Sequence, residues 1–256
     1  MEPLHPRCAG LDIHKSSIVA CVRIVHGTQV TKLLESFGTG YAERLRLGDW
    51  LSHHRVTAVL MEATGVYWRP IWLDLEADFT VVVANALHVK NVPGRKSDVN
   101  DASWLSDLMA HGLCRPSFIP PQDIQALRDL TRLRKQLVRE KAQHQLRIHK
   151  ALESCGFKLA SVVSDVMGQT GRAILKGLCQ GEKDPQVLAN LALGNARKKR
   201  AQLVEALRGH PTDHLRFLLQ LHLDQIARLE QTTAQLEQHT QELMRPFFWA
   251  LELLVT

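Results

Sequence analysis

The hydrophobic period of this chain changes once, near residue 93, and that change constrains the fold more than any other feature. Before it come short apolar runs rich in Val and Ile: "SSIVACVRIV" (16–25), "TKLLESF" (31–37), "VTAVLME" (56–62) and "TVVVANA" (80–86). Gly or charged residues bound them, as expected of strands. Helix-like stretches lie between them, "YAERLRLGDWLSHH" (41–54) and "VYWRPIWLDLEADF" (66–79). The order is two or three consecutive strands, then helix, strand, helix, strand. Consecutive strands favour antiparallel pairing and the alternation favours parallel crossovers, so a mixed α/β sheet is expected. A flavodoxin-like sheet is the plainer alternative.

After residue 97 no strand pattern remains. "PQDIQALRDLTRLRKQLVREKAQHQLRIHKALESCGF" (121–157) reads as one long helix, with Pro120 and Pro121 at its start and Gly156 at its end. Leu130, Leu133, Leu137, Ile148 and Leu152 fall on one face of it. Shorter helices follow near 160–178 and 185–208, with Gly168, Gly171, Gly177, Gly181 and Gly194 as breaks. A last helix spans about 212–244. Its positions 215, 219, 222, 226, 229, 233, 236, 240 and 243 step by four and three, a coiled-coil seam interrupted by His222, Thr233 and Thr240. The expected organisation is an α/β domain over 1–115 and an all-α region over 116–256 that binds nucleic acid and oligomerises through its coiled coil.

Composition narrows the class. Of 256 residues 45% are hydrophobic, enough for a sizeable core. A net charge of +6 permits an anionic partner without proving one. The five cysteines are scattered with no Cys-x-x-Cys pair, which argues against zinc and for a reducing, intracellular setting. The N-terminus carries no apolar signal region, and no apolar run approaches the roughly 18 residues that span a bilayer. A cytoplasmic protein without membrane contact is expected.

Four acids stand out. Asp98 and Asp101 sit in "GRKSDVNDASWLSDL" (94–108), spaced so that one caps a helix and the other imitates a capping box. At about 100° per residue, however, 98, 101, 105 and 108 share a face with Leu105 and Leu108, while Asp107 lies opposite, on the side expected to meet water. Carboxylates heading a core-facing stripe need a cation or good donors. Asp12 interrupts the apolar stretch "CAGLDIHKSSIVACVRIV", as a site residue or as part of a tight turn after Gly10. Glu62 ends an apolar strand, where sites open in α/β sheets, unless it faces water. Together, acids from a first strand, a later strand end and a following helix suit hard cations, Mg²⁺ or Mn²⁺. Two such ions about 4 Å apart would clamp a phosphodiester. Lys15 and Lys96, near these acids in sequence, could steer a phosphate or be ordinary surface lysines.

"GLDIHKSS", "VLMEATGVYW" and "GRKSDVNDASWLSDL", in this order and spacing, resemble the N-terminal domain of the DEDD transposases of bacterial insertion sequences, the one-ten family of RNA-guided recombinases. The resemblance covers the chain to about residue 115 and continues more weakly beyond. It implies a RuvC-like, ribonuclease-H-type fold and a catalytic, metal-binding tetrad of Asp12, Glu62, Asp98 and Asp101. It further implies a helical coiled-coil insertion, action on DNA as an oligomer, and guidance by a structured RNA. It also implies a C-terminal domain with a catalytic serine. The sequence ends at "FFWALELLVT", about where that domain is expected to begin, so no serine is assigned. The chain is accordingly read as a truncated transposase or a fragment of one, incomplete for full strand exchange.

Between Gln122 and Lys150 eight basic residues outnumber the acids: Arg128, Arg132, Arg134, Lys135, Arg139, Lys141, Arg147 and Lys150. "ARKKR" adds Arg197, Lys198, Lys199 and Arg200. A solvated helix face explains any one such run. Two of them in a chain with a phosphodiester-type acidic pattern favour contact with nucleic-acid phosphates. Tyr67, Trp68 and Trp72 are expected in the core. Two further functions fit the same residues: a stand-alone Holliday-junction nuclease using water as nucleophile, and a non-catalytic nucleic-acid-binding or oligomerisation module.

Overall fold

The structure is a computed structural model that describes residues 3–93 and 100–250. It divides into two compact units, Met1–Ile119 and Pro120–Thr256.

The first unit is built on a five-stranded sheet: β1 (Arg7–Ile13), β2 (Ser17–His26), β3 (Gln29–Gly38), β4 (Ala58–Glu62) and β5 (Thr80–Ala84). The strand order is β3-β2-β1-β4-β5, with β1–β2 and β2–β3 antiparallel and β1–β4 and β4–β5 parallel. A three-strand meander continued by parallel crossovers is the mixed ribonuclease-H-type arrangement expected of a RuvC-like domain. Helices cover both faces. Alternate strand residues Ala9, Leu11, Ile13, Val59 and Met61 pack with Leu47 and Leu51 of α1 (Tyr41–His53) and Ile71 and Leu75 of α2 (Trp68–Leu75). The opposite residues Cys8, Ala58 and Leu60 pack with Val89 of α3 (Ala86–Asn91) and with Leu105, Leu108 and Met109 of α4 (Asp101–Ala110).

Two local features differ from the sequence reading. Strand β1 is not one of the four apolar runs, because Arg7, Gly10 and Asp12 dilute its β-forming character. Gly10 is required by packing: a Cβ there would lie 2.2 Å from the Ala102 carbonyl oxygen and 2.4 Å from the Ser106 nitrogen. The backbone of α4 therefore presses directly on β1, and only glycine admits it. The run at 80–86 stops as a strand at Ala84, since Asn85 caps α3 by accepting from the Leu87 N–H. Trp68 and Trp72 pack against the core as expected, whereas Tyr67 is 40% exposed.

The second unit is helical: α5 (Gln122–Ser154), α6 (Gln169–Cys179), α7 (Pro185–Asn190), α8 (Arg200–Ala206) and α9 (Asp213–Met244). Ile148, Leu152, Phe157, Ile174, Leu175, Leu203, Leu215, Leu219 and Ile226 form its core. Helices α5 and α9 lie antiparallel: Arg134 pairs with Glu237 (2.7 Å), Lys141 with Glu230 (3.7 Å), and His144 Nδ1 meets His222 Nδ1 (3.1 Å). Every seam position of α9 is buried or half-buried, and the helix it packs along is α5 of the same chain. Gly171 and Gly177 do not break a helix; they lie inside α6 and are buried. A Cβ on Gly171 would sit 1.9 Å from the Val166 carbonyl oxygen. None of the described helices is long and apolar enough to cross a membrane.

Candidate active site at the strand ends

Strands β1 and β4 pair in parallel with Cys8 opposite Ala58, Gly10 opposite Leu60 and Leu11 opposite Met61. Asp12 and Glu62 are the next residues on the two strands. Neighbouring strands lie about 4.8 Å apart, so the two backbones stand side by side here. Side chains alternate along a strand. Asp12 follows Cys8 and Gly10 on one face, and Glu62 follows Ala58 and Leu60 on the same face, the one that α4 covers. The sheet thus carries two carboxylates at the carboxyl ends of adjacent central strands, where α/β sheets open their sites.

Helix α4 crosses this face antiparallel to β1. His5 N donates to the Ala110 carbonyl (3.2 Å), Cys8 Sγ lies 3.4 Å from the Ser106 carbonyl, and Gly10 abuts Ala102. The contacts descend α4 as they climb β1, so Asp12 lies beyond Gly10 toward the helix start, which Asp101 occupies. The helix N-terminus carries a partial positive charge that favours carboxylates nearby. The cap itself is Asn100, whose side chain accepts from the Ala102 N–H (2.9 Å). Asp101 is therefore the first helical residue rather than the N3 member of a capping box, and Asn100 makes the cap. Asp98 and Lys96 lie outside the described residues. Lys15 is exposed in the β1–β2 turn, its carbonyl accepting from Thr39 Oγ1 (3.1 Å).

Each strand-end carboxylate has a polar partner two residues on, which sequence reasoning did not single out. His14 Nε2 lies 3.1 Å from Asp12 Oδ2, and Thr64 Oγ1 donates to Glu62 Oε1 over 3.1 Å. The Asp-x-His and Glu-x-Thr spacings were the available signal. Asp12 is 25% exposed at its side chain, open enough to receive a ligand. The donors here are hard oxygens, which fit Mg²⁺ or Mn²⁺ rather than a softer metal. Among the described residues no three His, Cys, Asp or Glu side chains gather closely enough to hold a metal by themselves. The fit therefore rests on the Asp12–Glu62 pair.

Asp107 departs from its expected place. It is not on a water-facing side of α4: it accepts from Arg23 Nε (3.0 Å) and Lys32 Nζ (2.7 Å), which rise from β2 and β3. Lys32 also donates to Ser103 Oγ (2.8 Å). The helix lies across β1 and β2, so its flank meets the meander as well as the central strands.

In the helical unit the basic residues separate into two sets. Arg134 and Lys141 pair with acids of α9, Arg197 Nε donates to the Ala192 carbonyl, Lys199 Nζ to the Val162 carbonyl, and Arg200 Nη2 lies 3.4 Å from Gln186 Oε1. Arg128, Arg132, Lys135 and Arg139 step by four, three and four along α5, are all exposed, and lie opposite the seam with α9. Arg132 Nη1 lies 3.9 Å from Asp129 Oδ1. Arg147 and Lys198 are exposed as well.

A solved complex of fowlpox virus resolvase with its substrate Holliday junction DNA is similar over 36% of this chain and 65% of that chain, at 13% identity and a TM-score of 0.27. This chain thus spans less than two thirds of that protein, and a likeness so low does not bear on the site. No curated protein matches the sequence. The DEDD transposase family of IS110 insertion sequences matches residues 9–157, more than half of the chain, and the protein belongs to that transposase family.

Proposed function

We propose that this chain carries the metal-binding centre of a DNA transposase, in which the Asp12–Glu62 pair holds Mg²⁺ or Mn²⁺ and Asp98 and Asp101 complete the donor set when the metal binds. The observation that carries this reading is the β1–β4 register, in which Asp12 and Glu62 directly follow the Leu11–Met61 pair. When bound, the cation would supply Lewis-acid polarisation of a scissile phosphate. The protein's own contribution is positional. Supporting it are the β1–β4 register, the Gly10 contact that lets α4 approach β1, and the position of Asp101 as first residue of α4, where the helix dipole favours a carboxylate. Lys15, exposed in the adjoining turn, would attract a phosphate.

The partners in this reading are DNA and a structured guide RNA, held without sequence readout by the exposed cations of α5 and by Arg147, Arg197, Lys198, Lys199 and Arg200. Since α5 fills the α9 seam within the chain, oligomerisation would use another face of the helical unit. The setting is the cytoplasm, where the element's DNA and RNA are available.

The test is strand cleavage of labelled DNA in Mg²⁺ by the wild-type chain, Asp12→Asn and Glu62→Gln. Metal-dependent cutting that both substitutions reduce to background is the expected result. Cutting unchanged in both variants would exclude the assigned acids, and cutting of branched DNA alone would favour a junction nuclease.

A further inference from the structure

The geometry points to His14 and Thr64 as positioning residues for the metal site, each orienting one strand-end carboxylate through a hydrogen bond from two residues downstream. This inference rests on the metal-site reading above.

An ionised carboxylate only accepts hydrogen bonds, so in the His14–Asp12 contact the proton belongs on Nε2, which donates to Oδ2 over 3.1 Å. Thr64 Oγ1 donates to Glu62 Oε1 over the same 3.1 Å. Both donors sit on pinned backbone. His14 N donates to the Ser17 carbonyl (2.9 Å), closing the β1–β2 turn. Thr64 N donates to the Glu62 carbonyl (2.8 Å), and Ala63 N to the Ala84 carbonyl of β5 (2.8 Å). Each donor therefore engages one carboxylate oxygen from a fixed origin and leaves the second oxygen for another partner.

The Asp12 carboxylate turns about two side-chain torsions and that of Glu62 about three, and an unheld one would have to be ordered by the metal itself. Holding one oxygen beforehand lowers that ordering cost, and such outer partners typically govern 10–100-fold of metal affinity. Neither donor is part of the core: His14 is 62% exposed at its side chain and Thr64 is exposed. Their loss should therefore leave folding intact while loosening the carboxylates.

The experiment is a Mn²⁺ titration of the full chain, followed by the loss of the free-ion electron paramagnetic resonance signal. Asp12→Asn is expected to abolish tight binding. His14→Ala and Thr64→Val should each weaken the Kd by about 10–100-fold at an unchanged melting temperature. His14→Gln and Thr64→Ser, which keep a donor, should restore most of it. Tight binding retained in His14→Ala and Thr64→Val but lost in Asp12→Asn would overturn this inference and leave the metal-site reading standing. Failure of the conservative variants to rescue would overturn it too. Binding unaffected by Asp12→Asn would instead overturn the metal site itself, and the positioning roles with it.

Discussion

Arg23 Nε donates to Asp107 Oδ1 over 3.0 Å, although 84 residues separate them. Arg23 is almost fully buried on β2, and its Nη1 has no hydrogen-bond partner among the described residues. Asp107 is thus the counter-charge that lets a guanidinium lie between sheet and helix. Asp107→Ala should leave two cations facing α4 and destabilise the first unit by about 3 kcal/mol. Lys32→Met should cost less, because Asp107 keeps Arg23. Urea unfolding of the two variants checks both the size and the order.

Gly10 fixes how closely α4 approaches the sheet. Gly10→Ala would place a methyl 2.2 Å from a backbone oxygen that cannot swing away. The expected cost is about 3 kcal/mol or more in thermal unfolding, with α4 displaced from β1. Gly40→Ala is the control, since a Cβ there meets nothing within 4 Å.

The α5–α9 hairpin should weaken in mild acid. His222 and His144 face each other at 3.1 Å, with Arg147 contributing a further positive charge. Burial first, then these two neighbours, hold the His222 pKa below its ordinary value. The folded state then binds fewer protons than the unfolded one between the lowered pKa and about 6.5. Stability is full above that window and falls as pH drops through it. The melting temperature of the helical unit should be lower at pH 5.5 than at pH 7.5, and His222→Gln should flatten the dependence.

The outer stripe of α5 should act through phosphates. Replacing Arg128, Arg132, Lys135 and Arg139 with Gln should weaken binding to DNA of any sequence. Each lost phosphate contact should reduce the slope of log K against log salt by about 0.9 on duplex DNA. Glu237→Gln, which breaks only the exposed pair with Arg134, should change hairpin stability by less than about 1 kcal/mol.

Much of this architecture is legible in the sequence, for identifiable reasons. The β2 to β5 runs and the two long helices declare themselves by period, and Gly156, with a φ of +82°, ends α5 where its sequence position suggests. Strand β1 is obscured by the glycine its packing requires. Asp107 is misread because a helical wheel gives the side of a helix and not what lies beneath that side. The seam of α9 is plain, but its partner is not: heptad spacing is the same whether the facing helix belongs to this chain or another. The strand-end acids can be found one at a time. That Asp12 and Glu62 stand side by side depends on the β1–β4 register, which no local pattern records.

A cation shared by the Asp12 and Glu62 carboxylates would be visible crystallographically. Anomalous diffraction from crystals soaked in Mn²⁺ tests for it most directly. The expected result is a peak about 2 Å from carboxylate oxygens of both Asp12 and Glu62 that disappears in Asp12→Asn crystals. A fully soaked crystal with no peak there, or one unchanged by Asp12→Asn, would contradict the shared site.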